Sequence, residues 1–534
     1  GTDILLLSGP GIIDPMSLSM TLHNDALDEI LKSDKCSDEV VNITNGLGTT
    51  PLLLGIFKGN TNNVKKLLDS KYDLTRSFDH TDKDGRSLMM FATAHDLSIF
   101  GLLFNSKYMN MDRMLRGDVY RHNVMIHAIS NSLEITKIIV ESGYWTTELQ
   151  MYRDIDDDFL LLYPYRKPEI VEYMMSSGRC TVEMVSMTNK VGMNCSHYYA
   201  KNSSESLGYL LASDICTNDV ITQQDYLGNT SLHYACKMNP DAAITILKSK
   251  YFKPENIMIQ NRSRQNPFMV ALEHNKNIAK MMFDMKLITK DVIMQTDRDE
   301  NTSLNYAIKF SETISRKIIR SEHFKEIVDH RNLDNYTPIM MASRYNGKLI
   351  KDIIATGQCT NDMMFSMHTD YGSCLTIAAE HQPIGVKHIL DWEGLDRKII
   401  HSYDNHRDFV QIACQTNAES VRQIVESQRD LSSFFEGRNI IVATKYQPEA
   451  LEYILGSKYG SPHLFDIYVD DQNCIDIAFH CQPMSLTKIL NSKHITHDIM
   501  NREDRTTGYR LLHKLSRIYE DIDSISDIPK LELT

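Results

Sequence analysis

The 534-residue sequence contains no apolar stretch long enough to cross a membrane. A transmembrane helix needs about 18 or more consecutive apolar residues, and polar residues interrupt every run here well before that length. Cysteine patterns that staple secreted domains or hold zinc are also missing. The ten cysteines are scattered, and none forms a Cys-x-x-Cys pair. We therefore expect reduced thiols, a cytoplasmic location and no contact with membranes.

Short catalytic motifs are absent as well. The sequence has no Gly-x-x-x-x-Gly-Lys or Gly-x-Gly-x-x-Gly phosphate loop, no Gly-x-Ser-x-Gly elbow and no His-Glu-x-x-His motif. Two groups are metal candidates: His494 with His497, and Cys474 with His480 and Cys481. We interpret the histidine pair as surface-loop residues, because zinc needs further ligands, and both cysteines as buried thiols. The sequence thus predicts a protein that is not an enzyme and binds no cofactor and no metal.

The balance of charge is acidic. There are 70 acidic and 57 basic residues, which gives a formal net charge of −13. A chain of this charge repels phosphate backbones, so we expect no nucleic acid among its partners. Hydrophobic residues make up 42% of the sequence, enough for a buried core and too many for a disordered chain.

One short segment recurs, with variations, along the rest of the chain. It runs from Gly228 to Ala235, with Asp225 three residues upstream, and reads Asp-x-x-Gly-x-Thr-Ser-Leu-His-x-Ala. The glycine permits the positive φ of a tight turn, and Thr230 is suited to cap a helix start with its hydroxyl. We expect Leu232 to face a core and the small Ala235 to let two helices approach closely.

The position of this alanine recurs every 35 to 37 residues, with one step of 30, and is alanine in all units but two. The positions are Gly55, Ala92, Ala128, Pro164, Ala200, Ala235, Ala271, Ala307, Ala342, Ala378, Ala413, Ala443 and Ala478. A second series keeps the same period at Ser33, Ser70, Ser106, Ser142, Ser177, Ser213, Ser249, Ser321, Thr356, Ser427, Ser457 and Ser492. Two series in step indicate stacked supersecondary units.

The sequence of each unit predicts a helix, a turn, a second helix and a connector. In the unit of Ala235, an inner helix spans Thr230 to Lys237 and an outer helix starts at Pro240. Both have apolar residues on one side, which only neighbouring units can cover. We interpret the paired methionines, such as Met89 and Met90, as packing in this core. His233 is expected to hydrogen bond to neighbouring backbone.

The repeated segment resembles the signature of the ankyrin repeat, Asp-x-x-Gly-x-Thr-Pro-Leu-His-x-Ala, and the resemblance covers roughly residues 20 to 515. It implies an all-α fold: an ankyrin-repeat solenoid of about 13–14 helix-turn-helix repeats of 35–36 residues, with short hairpin or loop fingers. We divide the chain into an N-terminal capping segment (1–33), a repeat array (34–515) and an acidic C-terminal tail or cap (516–534). The drifted repeats are similar to ankyrin arrays encoded by giant DNA viruses.

The connector is longer than in the usual ankyrin repeat of about 33 residues. Thr181, Thr217 and Thr360 in the connectors are each followed two places later by an acidic residue, a combination typical of a helix start. We therefore expect an extra short helical turn before each finger.

The turn glycine is often replaced. Other residues occupy its position in six units, at Arg121, Arg264, Glu300, Asn335, His406 and Asp471. Because such residues tolerate positive φ less well than glycine, we expect some of these fingers to be distorted loops. The 30-residue step into Ala443 indicates a finger cut short near residues 434–437.

Acidic residues gather at the predicted fingertips, and these are the predicted contacts to a partner. They are Asp82, Asp84, Asp154, Asp156, Asp225, Asp297, Asp299, Asp334, Asp370 and Asp470. A solvated turn explains such residues without any binding role, because aspartate favours turns. The functional alternative is a negative rim that selects a basic surface on a partner protein.

The resemblance also implies a function. Ankyrin repeats are binding scaffolds, so we expect a non-catalytic protein that binds a protein partner through its fingers and inner helices. A viral or other pathogen source would make the partner a host protein, met in the host cytoplasm. The chain would be a monomer or part of a larger assembly. Two alternatives remain open: a substrate-recruiting arm of a ubiquitin-ligase adaptor or larger multidomain protein, and a virion or assembly scaffold component.

Overall fold

The computed structural model describes residues 14–22, 25–45, 48–365, 372–435 and 437–501. Short helices make up most of these ranges and follow one another in a fixed order of inner, outer and third helix. Fourteen such sets occur in the described residues. Two-residue strands, Tyr403–Asp404 and Arg407–Asp408, pair antiparallel in one finger. None of the helices described has both the length and the apolar character needed to span a bilayer.

The helices of each class are as follows. Inner helices are Pro15–Thr21, Pro51–Phe57, Leu88–Ala92, Val124–Asn131, Leu160–Arg166, Cys195–Asn202, Ser231–Met238, Pro267–His274, Ser303–Phe310, Pro338–Tyr345, Cys374–His381, Phe409–Thr416, Arg438–Tyr446 and Cys474–Cys481. Outer helices are Ala26–Lys32, Thr61–Leu68, Leu97–Phe104, Leu133–Glu141, Pro168–Ser176, Ser204–Ala212, Pro240–Leu247, Lys276–Asp284, Glu312–Ile319, Lys348–Ala355, Pro383–Leu390, Ala418–Val425, Pro448–Gly456 and Pro483–Leu490. Third helices are Asp38–Val41, Thr75–Asp79, Met111–Leu115, Thr147–Gln150, Val182–Ser186, Asn218–Thr222, Pro254–Met258, Lys290–Met294, Phe324–Glu326, Asn361–Met364, Arg397–Ile400, Ser432–Phe434, Pro462–Asp466 and His497–Met500.

The recurring alanine lies on the inner helices and is completely buried in every unit that has it.

Residue contacts divide the chain into two compact units, Gly1–Ser263 and Arg264–Thr534. In the first unit, the inner helix Cys195–Asn202 packs on the inner helix Ser231–Met238 of the next repeat. In the second, Pro338–Tyr345 packs on other inner helices in the same way. The all-α repeat architecture expected from the sequence is confirmed.

The side chains expected in the core are largely there. Leu232 is buried, and so are both members of the pair Met89 and Met90. Full burial of one such side chain contributes roughly 1.5–3 kcal/mol of hydrophobic free energy. Inner helices such as Pro267–His274 and Cys374–His381 are buried over six consecutive residues, so this contribution depends on the repeats that pack around them.

The third helix confirms the extra turn predicted in the connector. The hydroxyl oxygen of Thr181 accepts the Met184 N–H at 3.3 Å, and that of Thr217 accepts the Val220 N–H at the same distance. Thr360 precedes a 3-10 turn instead of an α-helical one. The recurring threonine therefore marks a real helix start, as the N-cap pattern predicts.

The recurring serine closes the outer helix. The Ser106 hydroxyl donates to the Leu103 carbonyl at 2.7 Å, and Ser213 donates to Leu210 at 2.7 Å. These bonds satisfy carbonyl groups that have no partner within the helix. A tyrosine two residues further on connects neighbouring repeats, since the Tyr108 hydroxyl donates to the Tyr72 carbonyl at 3.1 Å.

The finger turns survive the loss of glycine. Gly228 has φ of +75°, and the replacements Arg121, Glu300 and Asn335 have φ of 60° to 62°. The expectation that such fingers are distorted loops is wrong at these positions. The turn is held from elsewhere: Asp297 Oδ1, three residues before Glu300, accepts the N–H groups of residues 299 and 301 at 2.9 and 2.8 Å. Two charge-assisted bonds compensate for the unfavourable φ.

Other fingers differ from this turn. At His406 and Asp471 the preceding residue also has positive φ. Two consecutive residues with positive φ form the two-residue turn that closes tight hairpins. Where the sequence indicates a shortened finger, the third helix Ser432–Phe434 is followed within a few residues by the inner helix Arg438–Tyr446. The shortened finger is confirmed, with residue 436 outside the described ranges.

Two sequence predictions fall on residues that the structure does not describe. They concern Asp370 and the tail 516–534. At the other end, the helices Pro15–Thr21 and Ala26–Lys32 pack together, and the first of them also packs on Pro51–Phe57. A helix pair thus lies within the segment 1–33 that we expected to act as a cap.

We expect Glu300→Gly to stabilise the fold by about 0.5–1 kcal/mol, because glycine adopts positive φ without strain. Gly228→Ala, at the same position of another finger, is expected to destabilise by about 1–2 kcal/mol. A Cβ there would lie 2.7 Å from the Arg262 nitrogen. The measurement is the urea midpoint of unfolding.

The matched control is Glu322→Gly, at an exposed residue outside the group with positive φ. It should lower the midpoint slightly, because glycine gains more freedom on unfolding. If Glu300→Gly lowered the midpoint as much as this control, the turn would not favour glycine at residue 300.

Candidate protein-interaction surface

Three of the predicted contact residues have carboxylates that are used inside the protein. Asp154, Asp225 and Asp297 are buried, with 5–7% of their surface exposed. In Asp225, Oδ1 accepts the N–H groups of residues 227 and 229 at 2.9 and 2.8 Å, which forms the finger turn. The other oxygen accepts the Tyr234 hydroxyl at 2.6 Å. These carboxylates hold the finger onto the inner helix and are not presented to a partner.

In several repeats the tyrosine that meets the finger aspartate comes from the same position, nine residues after it. Tyr306 donates to Asp297 at 2.8 Å, and Tyr163 donates to Asp154. Burial, reinforced by the adjacent Asp225 carboxylate, raises the pKa of Tyr234 well above its ordinary value. Burial does the same for the pKa of Tyr306. Both hydroxyls therefore stay protonated and remain donors at neutral pH.

The other described members of the predicted set are available at the surface. Asp156, Asp299, Asp334 and Asp470 are exposed. Asp82 and Asp84 are partly buried and share one cation, since Arg86 lies 2.7 Å from the Asp82 carboxylate and 3.2 Å from that of Asp84. Asp156 is paired with Lys190. Carboxylates that a basic partner could reach are thus concentrated at Asp299, Asp334 and Asp470.

The fingertips also present large apolar side chains, which the sequence reasoning missed. The two residues after the finger Asp or Asn form the tip, and six apolar ones are 44–61% exposed on four consecutive fingers of the first unit. We call this set the finger strip: Val119, Tyr120, Ile155, Val191, Tyr226 and Leu227. The sequence signal for them is position: each lies one or two residues after the Asp or Asn of a finger turn.

Backbone hydrogen bonds connect the fingers of the strip in pairs. The Ile155 N–H donates to the Tyr120 carbonyl at 3.0 Å, and the Tyr226 N–H donates to the Val191 carbonyl at 2.9 Å. These four residues are all members of the strip, so each bond fixes the distance between apolar side chains on neighbouring fingers. Exposed apolar side chains grouped on neighbouring fingers are typical of interaction sites.

The second unit has a groove between its fingers and inner helices, with a volume of about 330 Å³. Exposed Asp299 and Asp334 line it on the finger side, and Lys309 and Arg344 line it on the helix side. Tyr345 lies between the cations, with Lys309 Nζ 5.5 Å and the Arg344 guanidinium 5.7 Å from its ring centre. The groove can therefore receive a cationic side chain at its fingers and an anionic one at its helices.

The histidine and cysteines that the sequence offers as metal ligands are placed by the repeat packing. His494 Nε2 lies 3.1 Å from the Leu455 carbonyl of the preceding repeat. Cys474 is buried, and burial raises the pKa of its thiol to about 12. Cys481, which we also expected to be buried, is exposed. It lies three residues after the recurring alanine, where Met238 is exposed in another repeat, because the last turn of the inner helix extends into solvent.

His233 has the backbone role expected from the motif. Its Nδ1 accepts the Thr230 N–H at 3.1 Å, and the ring is almost completely buried. The equivalent His197 shows the connection between repeats, because its Nε2 lies 3.1 Å from the Asn229 carbonyl of the next finger. Burial lowers the pKa of His197, which favours the neutral imidazole.

Comparisons with known proteins give a likeness in structure only. No family model matches the chain, and no curated protein matches it. Among solved structures 177 chains match, including the ankyrin repeat domain of Bcl-3, a member of the IkappaB protein family. That match has 15% sequence identity and a TM-score of 0.32, and covers 51% of this chain and 99% of that one. The repeat architecture described above rests on this chain's own helices and turns.

We expect Tyr234→Phe to destabilise the fold by about 1–2 kcal/mol, because the buried Asp225 carboxylate loses a hydrogen bond donor. Tyr226→Phe, in the same finger, is the matched control. Tyr226 is 60% exposed, so its hydroxyl is expected to matter by less than about 0.5 kcal/mol. Urea unfolding of both variants measures the difference, and equal midpoints would show that the Tyr234–Asp225 bond adds no stability.

The same pair predicts a dependence on alkaline pH. A tyrosine whose pKa is raised on folding contributes stability that is complete below its unfolded pKa of about 10 and is lost as the pH rises above it. The stability difference between the wild type and Tyr234→Phe should therefore shrink above about pH 10. Urea midpoints measured across this range would contradict the prediction if the difference stayed constant.

Proposed function

We propose that this chain is a non-catalytic scaffold that binds a partner protein, and that the finger strip of the first compact unit is its main contact surface. The observation that carries the proposal is the exposure of six large apolar side chains on consecutive fingers. Leaving such side chains in water is unfavourable, and a partner that covers them gains roughly 25 cal/mol for each Å² of apolar surface removed from water.

The composition of the strip favours a protein as the occupant. Tyr120 and Tyr226 combine a large apolar ring with a hydroxyl, and tyrosine is enriched among residues that dominate protein interfaces. Charged residues lie beside the strip, since Asp156 and Lys190 form an ion pair between the two fingers that carry Ile155 and Val191. Protein interfaces usually combine apolar side chains with polar and charged ones.

A basic region on the partner is the second part of the proposal. The exposed Asp299 and Asp334 of the second unit line a groove, and the net charge of the chain is −13. Opposite charge speeds association and selects among partners more than it adds affinity. We assign affinity to the finger strip and selection of a basic partner to these carboxylates.

The source of the partner belongs to the proposal as well. The similarity of the drifted repeats to viral ankyrin arrays supports a host protein as partner and the host cytoplasm as the location. Recruitment of substrates for a ubiquitin ligase, or a structural role in an assembly, would use the same surface. Which other proteins are captured with the partner would distinguish these roles.

The test is a double variant, Tyr226→Arg with Leu227→Ser. It copies the tip of the next finger, which has Arg262 and Ser263 at these positions, so the turn should fold as before. Affinity capture from host cell lysate with the wild type identifies the partner, and titration of the purified partner measures affinity. We expect the double variant to bind more than about tenfold more weakly.

The matched control is Met484→Ser, which removes an apolar side chain with 62% exposure from an outer helix of the second unit. It should bind the partner with wild-type affinity. Circular dichroism should be the same for all three proteins. Wild-type affinity in the double variant would show that the contact surface lies outside the finger strip.

A further inference from the structure

One finger has two histidines where the other repeats have different residues. Asp118 is the turn residue of this finger, and His122 and His127 follow it by four and nine positions. Position nine is a tyrosine in several other repeats: Tyr163, Tyr198, Tyr234 and Tyr306. Position four varies among them: Asp158, Met193, Asn229 and Asn301. Both substitutions to histidine thus fall on the same finger, beside the same carboxylate.

The three side chains converge. Asp118 Oδ1 accepts the N–H groups of residues 120 and 122, each at 2.9 Å, which directs Oδ2 towards the imidazoles. His127 Nε2 is 3.2 Å from Oδ2, and His122 Nδ1 is 3.9 Å from it. One ligand atom from each of the three residues lies within 4.8 Å of the others. Within the described residues, this is the one such group of three.

We propose that Asp118, His122 and His127 form a binding site for a divalent transition-metal ion, with Zn²⁺ as the best fit. Two imidazoles and one carboxylate are ligands that zinc accepts, whereas Ca²⁺ and Mg²⁺ prefer oxygen ligands throughout. Ligand atoms around tetrahedral zinc are about 3.2–3.6 Å apart, given bond lengths near 2.0–2.2 Å. The observed 3.2 Å falls in this range, whereas the 3.9 Å from His122 to Asp118 and a separation of up to 4.8 Å within the group require the His122 ring to move towards the ion.

The neighbouring finger supplies support for one of the ligands. Asp154 Oδ2 lies 3.5 Å from Nε2 of His122, on the opposite side of the ring from Nδ1. With Nδ1 on the metal, Nε2–H would donate to this carboxylate, which is the arrangement that orients metal-binding histidines in many proteins. Asp154 is itself fixed by two backbone N–H groups at 2.8 Å. A bound ion would therefore connect two consecutive repeats and stabilise the folded array.

The site is partly open to solvent. The side chain of Asp118 is 5% exposed, whereas that of His122 is 29% exposed and that of His127 is 22% exposed. An ion can thus enter from the imidazole side, and water can complete its coordination. The ligands lie at the base of the finger whose tip carries Val119 and Tyr120 of the finger strip, and the centre of the Tyr120 ring is 5.8 Å from that of the His122 ring.

The test uses the full chain and two probes, Co²⁺ and Zn²⁺. Because the chain has 20 histidines, the readout is the visible d–d absorption of Co²⁺ bound to protein ligands and its loss when Zn²⁺ displaces the ion. His127→Tyr and His122→Asn copy residues that other repeats have at these positions, so both should fold normally. His497→Asn, at an exposed histidine elsewhere, is the control.

We expect the wild type and His497→Asn to bind one Co²⁺ per chain, and both finger variants to bind it more than about tenfold more weakly. Zn²⁺ should raise the unfolding midpoint of the wild type and leave that of His127→Tyr unchanged. Absence of the absorption in the wild type, or equal affinity in the finger variants, would overturn the proposal and leave a hydrogen-bonded cluster. Circular dichroism confirms folding, and His122→Asn decides the question if His127→Tyr is misfolded.

Discussion

No repeat of this protein can bury its own apolar surface. The helices are mostly five to nine residues long, too short to be stable alone in water, and their apolar residues are buried by helices of other repeats. Neighbouring repeats must cover these residues, so completely buried alanines recur along the inner helices where backbones approach closely. This requirement fixes the repeat period. It also places equivalent residues of neighbouring repeats next to each other, and the other features of the structure depend on that alignment.

The finger turn separates structural residues from residues that are free to vary. The turn Asp or Asn accepts two backbone N–H groups, and where an Asp is followed nine residues later by a tyrosine, its carboxylate also accepts the tyrosine hydroxyl. This anchoring lets Arg121 or Glu300 replace glycine without changing the turn. The bonds that hold the turn come from the Asp or Asn side chain and not from the side chains of the two tip residues. They can be lysine, tyrosine or aspartate, so partner recognition can change while the fold is kept.

Both functional proposals arise from such variation on a constant frame. The finger strip is a set of apolar residues at tip positions that are charged or polar in other fingers, such as Lys83 and Arg298. The metal site combines the turn residue Asp118 with two histidines at positions where other repeats have residues such as tyrosine, asparagine, methionine or aspartate. In each case the backbone geometry is that of the ordinary repeat, and only the side chains at a few positions differ.

The sequence by itself determined the features that depend on local pattern. The repeat period, the buried alanine, the third helix capped by Thr217 and the shortened finger before Ala443 all follow from helix periodicity and capping, which act over a few residues. Tertiary structure decided which side chains meet from different repeats or face solvent. The use of Asp225 inside the fold, the exposure of Cys481 and the approach of Asp154 to His122 could not be inferred from one unit. Residues about 36 positions apart become neighbours only when the repeats stack, and the packing between repeats sets their distances and their exposure.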